Sequence, residues 1–166
     1  MKLKDIISSA SEILGLGGEE DAILLRCANL VAATVAANYI SCAYTQDFEN
    51  PTGKIDYKEF EKPPIRIRAV KKGGAVVAHK TFLGYLRVPF GRITIDYDFI
   101  PRYEDTEDEV AFPGLSAEGF TYGVLAEYAF LSGMFNEAKV WNEKFQNHLF
   151  AAQKQIKRLT LPAPKW

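Results

Sequence analysis

The spacing of apolar residues changes twice along this chain, and those two changes decide its class. Near the start, Leu3, Ile6, Ile7, Ala10, Ile13 and Leu14 fall on one stripe of an α-helix. From Ala43 the period becomes two. Its clearest case is Arg92 to Phe99, where Ile93, Ile95, Tyr97 and Phe99 share one face and Arg92, Thr94, Asp96 and Asp98 the other. Helical spacing then returns, with Phe120, Val124, Tyr128 and Leu131 on one stripe and Ala138, Trp141, Phe145, Leu149, Ala152 and Ile156 on a second. Helices interrupted by an antiparallel sheet follow from that order.

Local signals set the boundaries. Gly15, Gly17 and Gly18 close the first helix, and Glu19, Glu20 and Asp21 suit the positive end of a second, expected to run to about Ser41. That second helix is rich in alanine on several faces, which predicts a place at the middle of a bundle. Ile65 and Ile67 alternate with Arg66 and Arg68, and two further strands are predicted at Ala75 to His79 and Phe82 to Val88. Turn signals separate them at Asn50-Pro51-Thr52-Gly53, Lys71-Lys72-Gly73-Gly74 and Pro89-Phe90-Gly91. Later, Gly119 and Gly123 permit close helix contact, Gly133 ends a helix and Asn136 is the expected cap of the next. The predicted class is α+β: mainly a helical bundle, with two N-terminal and two C-terminal helices and an inserted antiparallel β meander. One domain spans residues 1–166, divided into N-terminal helices (1–42), β insertion (43–100), acidic connector (101–113), C-terminal helices (114–159) and an extended tail (160–166).

A length of 166 residues suffices for one well-buried core, and a net charge of −1 makes no global case for nucleic acid or an anionic membrane. Ala22 to Tyr44 has the length of a membrane span, but Arg26, Asn29 and Asn38 interrupt it. A charge near the middle of a span costs about 2.5–3.5 kcal/mol, so a helix covered by protein is the expectation, with no membrane partner. Met1 to Leu14 mixes charged with apolar residues, unlike a signal peptide. Cys27 and Cys42 stand 15 positions apart in or near one helical stretch, roughly 22 Å along a helix, which predicts two reduced thiols.

Charge is segregated along the chain. Residues 1–50 balance at −4, 51–103 at +6, 104–138 at −8 and 139–166 at +5. Such a chain presents opposite surfaces to other copies of itself, or neutralises its charges internally, and both readings stand. Lys71, Lys72, Asp105 and Asp108 are candidate interface residues on the first of them.

A search for reactive constellations finds none to defend. Neither His79 nor His148 is singled out beside a nucleophile and a carboxylate, and the cysteines and histidines lack zinc-ligand spacing. The run Glu104 to Glu109 offers carboxylates to a divalent cation, the basis of an alternative reading as a small metal-dependent hydrolase or nuclease. It lacks the glycine turn and spaced ligands of a calcium loop. Gly15-Leu16-Gly17-Gly18 follows a helix and has no Lys-Ser/Thr after it, so it is not a phosphate loop. No cofactor is expected. Basic residues gather in the sheet region (Lys54, Lys58, Lys62, Arg66, Arg68, Lys71, Lys72, Lys80, Arg87 and Arg92), which leaves non-specific DNA contact through phosphates as an open reading.

The last third of the chain carries a pattern. Phe112-Pro113-Gly114-Leu115 is followed by Tyr122-Gly123-Val124-Leu125-Ala126-Glu127-Tyr128, then Gly133-Met134-Phe135-Asn136-Glu137-Ala138 and Trp141. Upstream, Ile95-Asp96-Tyr97 precedes Pro101. This resembles the head–tail connector, or adaptor, proteins of tailed phages, including the tail-tubular adaptors of short-tailed phages. In that group a helix begins after a proline, carries a Tyr-Gly-Val-Ala-Ala-Glu-Tyr-like run, breaks at glycine and resumes with Glu-Ala and an aromatic. Leu125 stands where the group commonly has alanine.

The resemblance implies a structural, non-enzymatic phage or prophage subunit, located at the head–tail junction of the virion and in the host cytoplasm during assembly. It implies a homo-oligomeric ring whose partners are the portal protein and tail or stopper proteins, with DNA passing through the channel. It also suggests a terminal segment as a contact: Leu161, Pro162, Pro164 and Trp166 form an extended strip ending in an aromatic anchor. Trp166 folding back on its own bundle is the other reading, as a cytoplasmic interaction module unrelated to virions is for the whole chain.

Overall fold

A computed structural model describes residues 1–50, 52–110 and 112–160 of the chain, and the predicted α+β class is what it has. Four α-helices, α1 (Leu3–Leu14), α2 (Asp21–Asn38), α3 (Ala117–Leu131) and α4 (Phe135–Thr160), flank seven strands in the middle of the sequence. Two compact units result. Met1–Ile40 and the described residues from Pro101 onward form a helical unit, and Ser41–Ile100 forms a β unit.

In the helical unit, α1 buries Leu3, Ile6, Ile7 and Ala10 as its stripe predicts, and Gly15 closes it in the left-handed conformation at φ 67°. The stripe stops one turn early, however, because Ile13 remains half exposed. The middle position goes to α3 and not to α2, contrary to the expectation from alanine content. α3 packs against α1, α2 and α4, and buries residues on nearly every side, among them Phe120, Val124, Leu125 and Ala129. α2 buries the face through Leu24, Cys27, Val31 and Val35 but leaves Ile23 and Leu30 exposed.

Close approach to α3 depends on its two glycines. A Cβ at Gly119 would lie 2.7 Å from the Cβ of His148 on α4. A Cβ at Gly123 would lie 2.9 Å from Val31 Cγ1 on α2 and 3.0 Å from Phe145 Cε2 on α4. Ser116 caps the helix, its Oγ accepting from Gly119 N at 3.0 Å. Gly133, at φ 77°, follows the helix end as expected, while α4 starts at Phe135, so Asn136 lies inside the helix it was expected to cap. Asn29, an interruption in the apolar stretch, has a partner: its amide donates to Tyr103 O at 3.0 Å and accepts from Tyr103 N at 2.8 Å. Among the described residues no helix is long and apolar enough to cross a membrane.

The β unit contains two antiparallel sheets. The first has the order β1 (Cys42–Asn50), β7 (Gly91–Phe99), β3 (Pro64–Lys72), β4 (Ala75–Val77), and the second β2 (Lys54–Asp56), β6 (Tyr85–Arg87), β5 (Lys80–Phe82). This is not a simple meander, because β7 returns to lie between β1 and β3. The predicted strand Phe82 to Val88 is broken by a turn at Leu83-Gly84, where Gly84 adopts φ 90°, a value side chains resist. Alternation in β7 holds: Ile93, Ile95 and Tyr97 are buried with Phe48, Ile55, Phe60, Val70, Leu86 and Val88. On its other face Asp98 is unusual for a carboxylate, only 1% exposed, because Arg66 and Arg68 of β3 close over it at 2.6 and 2.5 Å.

Replacing Gly123 by alanine tests the close packing of α3. In an open helix position the exchange gains about 1 kcal/mol. Here the added methyl meets Val31 and Phe145, and a net loss of about 1–2 kcal/mol is expected in urea unfolding. Gly18→Ala, which has open space around it, serves as the unaffected control.

Candidate interaction surfaces

The acidic connector is a self-bonded turn stitched to the start of α1. Asp108 accepts from the backbone N–H groups of Glu104 at 2.9 Å and Asp105 at 3.1 Å, and Asp105 accepts from Glu107 N at 3.1 Å. That last bond, with the Thr106 hydroxyl, holds the Asp105 carboxyl below its ordinary pKa. Backbone bonds join Leu3 N to Asp108 O at 2.9 Å and Val110 N to Met1 O at 2.8 Å, and Lys2 and Lys4 pair with Glu107 at 3.8 and 3.1 Å. Asp105 and Asp108 thus shape the turn as side-chain acceptors. Among the described residues no group of three His, Cys, Asp or Glu side chains gathers as a metal site would require.

Lys71 and Lys72 likewise have partners within their own unit. Lys71 pairs with Asp96 at 2.6 Å, and Lys72 donates to Phe90 O at 2.8 Å. The tail residues Leu161, Pro162, Pro164 and Trp166 lie outside the described residues.

In the first sheet, Arg66, Arg68, Lys71 and Arg92 are neutralised across strands, and in the second Lys54 pairs within its own strand. Asp98 takes Arg66 and Arg68, Asp96 takes Lys71, Asp47 takes Arg92 at 3.3 Å, and Lys54 meets Asp56 at 2.9 Å. Lys62 rests over the rings of Tyr44 and Phe99, at 4.4 and 4.3 Å from their centroids. Charge segregation along the sequence is therefore weaker in space, because β1, from the acidic first segment, runs beside β7 from the basic one. The β unit retains 10 basic against 7 acidic side chains.

One cluster lay beyond sequence reasoning. Ser116 Oγ stands 3.0 Å from His148 Nδ1, and the His148 ring lies 5.5 Å from that of Tyr122. Tyr122 stacks on Trp141 at 5.7 Å, and the Lys144 ammonium sits over both rings. The only signal in the sequence was the helical alignment of Trp141 with His148, which cannot reveal a partner 32 positions away. Ser116 is committed to capping α3, and the nearby carboxylate of Glu118 accepts from the Tyr122 hydroxyl at 2.6 Å. Among the described residues no carboxylate orients the imidazole, so the pair lacks the third member of a hydrolytic triad.

Both thiols are buried, Cys27 in the helical unit and Cys42 in the β unit, and burial pushes each up to about 11. At neutral pH neither is an activated thiolate. Large apolar side chains are exposed singly on the helices, at Ile13, Ile23, Leu30, Val140 and Phe150, and at Ile65 and Phe90 in the β unit; others lie near turns, Phe130, Leu131 and Phe135 between α3 and α4, Val76 beside one β hairpin turn, and Phe82 with Leu83 at another. The Phe130 and Phe135 rings meet edge to face at 5.7 Å.

No protein-family model and no curated protein matches this chain.

The carboxylates of the first sheet give a pH test. The Thr94 hydroxyl and then Arg92 hold Asp47 below its ordinary pKa, and Lys71 and then Thr45 do the same for Asp96. A depressed folded value means that the ionised forms stabilise the sheet above about pH 3.8, and that this contribution is lost as pH falls through the lower folded values. Urea midpoints measured from about pH 6 down to about pH 2 are expected to fall for the native protein. The difference from Asp96→Asn should narrow towards the acid end, and a constant difference would refute the assignment.

Proposed function

We propose that this chain is a structural, non-enzymatic head–tail connector subunit of a tailed phage or prophage, acting as one member of a ring between portal and tail. The sequence pattern of residues 112–141 motivates the reading, and its parts occupy fitting positions in the fold. Ser116 caps a helix shortly after Pro113, Tyr122 to Tyr128 lie within α3, Gly133 breaks the chain, and Glu137, Ala138 and Trp141 follow on α4. In this reading the run is a packing device, since Gly123, Val124, Leu125 and Ala126 are buried.

The observation that carries most weight is the exposed apolar surface at the α3–α4 turn. Phe130, Leu131 and Phe135 are 60%, 48% and 64% exposed. Grouped aromatic exposure of this kind marks a surface that meets other protein. A closed ring needs two different complementary faces on every copy. The α3–α4 turn supplies one, and the exposed hairpin residue Val76 is the counterpart we assign to the β unit. The described terminal helix leads into the tail strip, which serves as the portal contact in this scheme.

Mixing the full chain with the portal protein encoded in the same genome, followed by sedimentation and negative-stain microscopy, tests this. Ring-capped portals are expected. The double variant Phe130→Asp, Phe135→Asp should remain folded and fail to close rings. Removal of residues 160–166 should weaken portal binding while leaving the helices intact. Rings absent in every mixture, or formed equally well by the double variant, would overturn the reading.

A further inference from the structure

The small sheet formed by β2, β6 and β5 places like charges side by side. Its register aligns Lys54 with Arg87 and Arg87 with Lys80, so three cations stand in one cross-strand row. Neighbouring strands are about 4.8 Å apart, which confines the row to roughly 10 Å. Like charges directly opposite one another are unfavourable in a sheet. Lys54 has Asp56, but neither Arg87 nor Lys80 has an ion-pair partner among the described residues. Elsewhere in the unit, Asp98, Asp96 and Asp47 neutralise the arginines and the lysine that face them. The contrast singles out this row.

The face has two further features. Ile55 and Leu86, one position along, are buried, so by alternation the row points away from their core. The next row on the same face holds Asp56, which pairs with Lys54, and Tyr85 and Phe82, stacked at 4.8 Å between centroids and 9° between planes. The Lys54 ammonium lies 4.8 Å from the Tyr85 centroid, and Phe82 stands at the outer end of the stack, 40% exposed. Beside the cations is an open groove of about 290 Å³, lined by Ala78, His79, Lys80, Arg87, Val88 and Pro89.

We propose that this face binds single-stranded nucleic acid without reading its sequence. Lys80 and Arg87 contact phosphates, the groove follows the backbone, and one base stacks on the open side of Phe82. A cation row next to a ring platform matches a polymer that alternates phosphates with flat bases. An acidic protein segment would satisfy the cations and leave the stacked rings without a counterpart. The inference does not rest on the ring reading, which uses none of Lys80, Phe82 and Arg87.

The test uses the full chain and fluorescein-labelled oligothymidine of about 20 nucleotides, long enough to exceed one site, with anisotropy read as salt is raised. Saturable binding that weakens about 7-fold between about 50 and 200 mM salt is expected, as two neutralised phosphates require. Lys80→Gln with Arg87→Gln should reduce the slope of log K against log salt by about 1.4, or about 0.7 for each phosphate no longer neutralised. That variant should be no less stable than the native protein, because it relieves like-charge repulsion. Phe82→Ala should weaken binding about 5- to 100-fold with the salt slope unchanged. No binding at low salt, binding indifferent to both variants, or competition by polyglutamate as effective as by unlabelled oligothymidine would each overturn the proposal.

Discussion

Close packing around α3 is the constraint on which the helical unit depends. Three helices reach this one element, and two of them come near enough that a methyl group at Gly119 or Gly123 would collide with His148, Val31 or Phe145. Helices normally pack with axes about 8–10 Å apart, at a distance set by the side chains between them. Glycine at both contact points removes those side chains, so larger residues such as Phe120, Val124 and Leu125 can fill the remaining space. The same closeness brings Ser116 to His148 and Tyr122 over Trp141. The Ser116–His148 pair is a consequence of two helices meeting at a glycine.

The β unit solves a different problem. β7 is the only strand of its sheet with long partners on both sides, β1 along nine residue pairs and β3 through an irregular register. Its inner face supplies Ile93, Ile95 and Tyr97 to the core, and its outer face holds Asp98 beneath two arginines. A carboxylate removed from water needs such partners, and losing one of them would be costly. Gln46 completes the inner face as a polar member: it accepts from the Tyr97 hydroxyl at 3.0 Å and from Glu61 N at 3.0 Å. Lys80 and Arg87 are among the basic side chains that these pairings leave over, and the register of the smaller sheet sets them side by side.

The class of the fold is legible in the sequence because the period of its apolar residues switches cleanly. β7 and the stripe of α4 can be read residue by residue. Strand β1 cannot, since Gln46 occupies a core-facing place between Tyr44 and Phe48 that pattern reading reserves for apolar residues, although Thr45, Asp47 and Glu49 suit the outer face. The turn at Leu83-Gly84 is hidden in an apolar run, and only the positive φ of the glycine declares it. The centrality of α3 is also hidden: alanine content points to α2, whereas the decisive feature is two glycines four positions apart. Partnerships such as Ser116 with His148, or the cross-strand row of Lys54, Arg87 and Lys80, join residues whose proximity is a property of the fold and not of local spacing.

The acidic connector is a turn, the thiols are buried, and Phe130, Leu131 and Phe135 are exposed where α3 meets α4. All of the helical unit's surfaces hang on α3. Amide hydrogen exchange of the full chain, followed residue by residue, measures that dependence most directly, because the element that opens last is the one the others require. The slowest amides of the helical unit should be those of Phe120 to Ala129. Protection that outlasts them in α2 or α4 would contradict the central place given to α3.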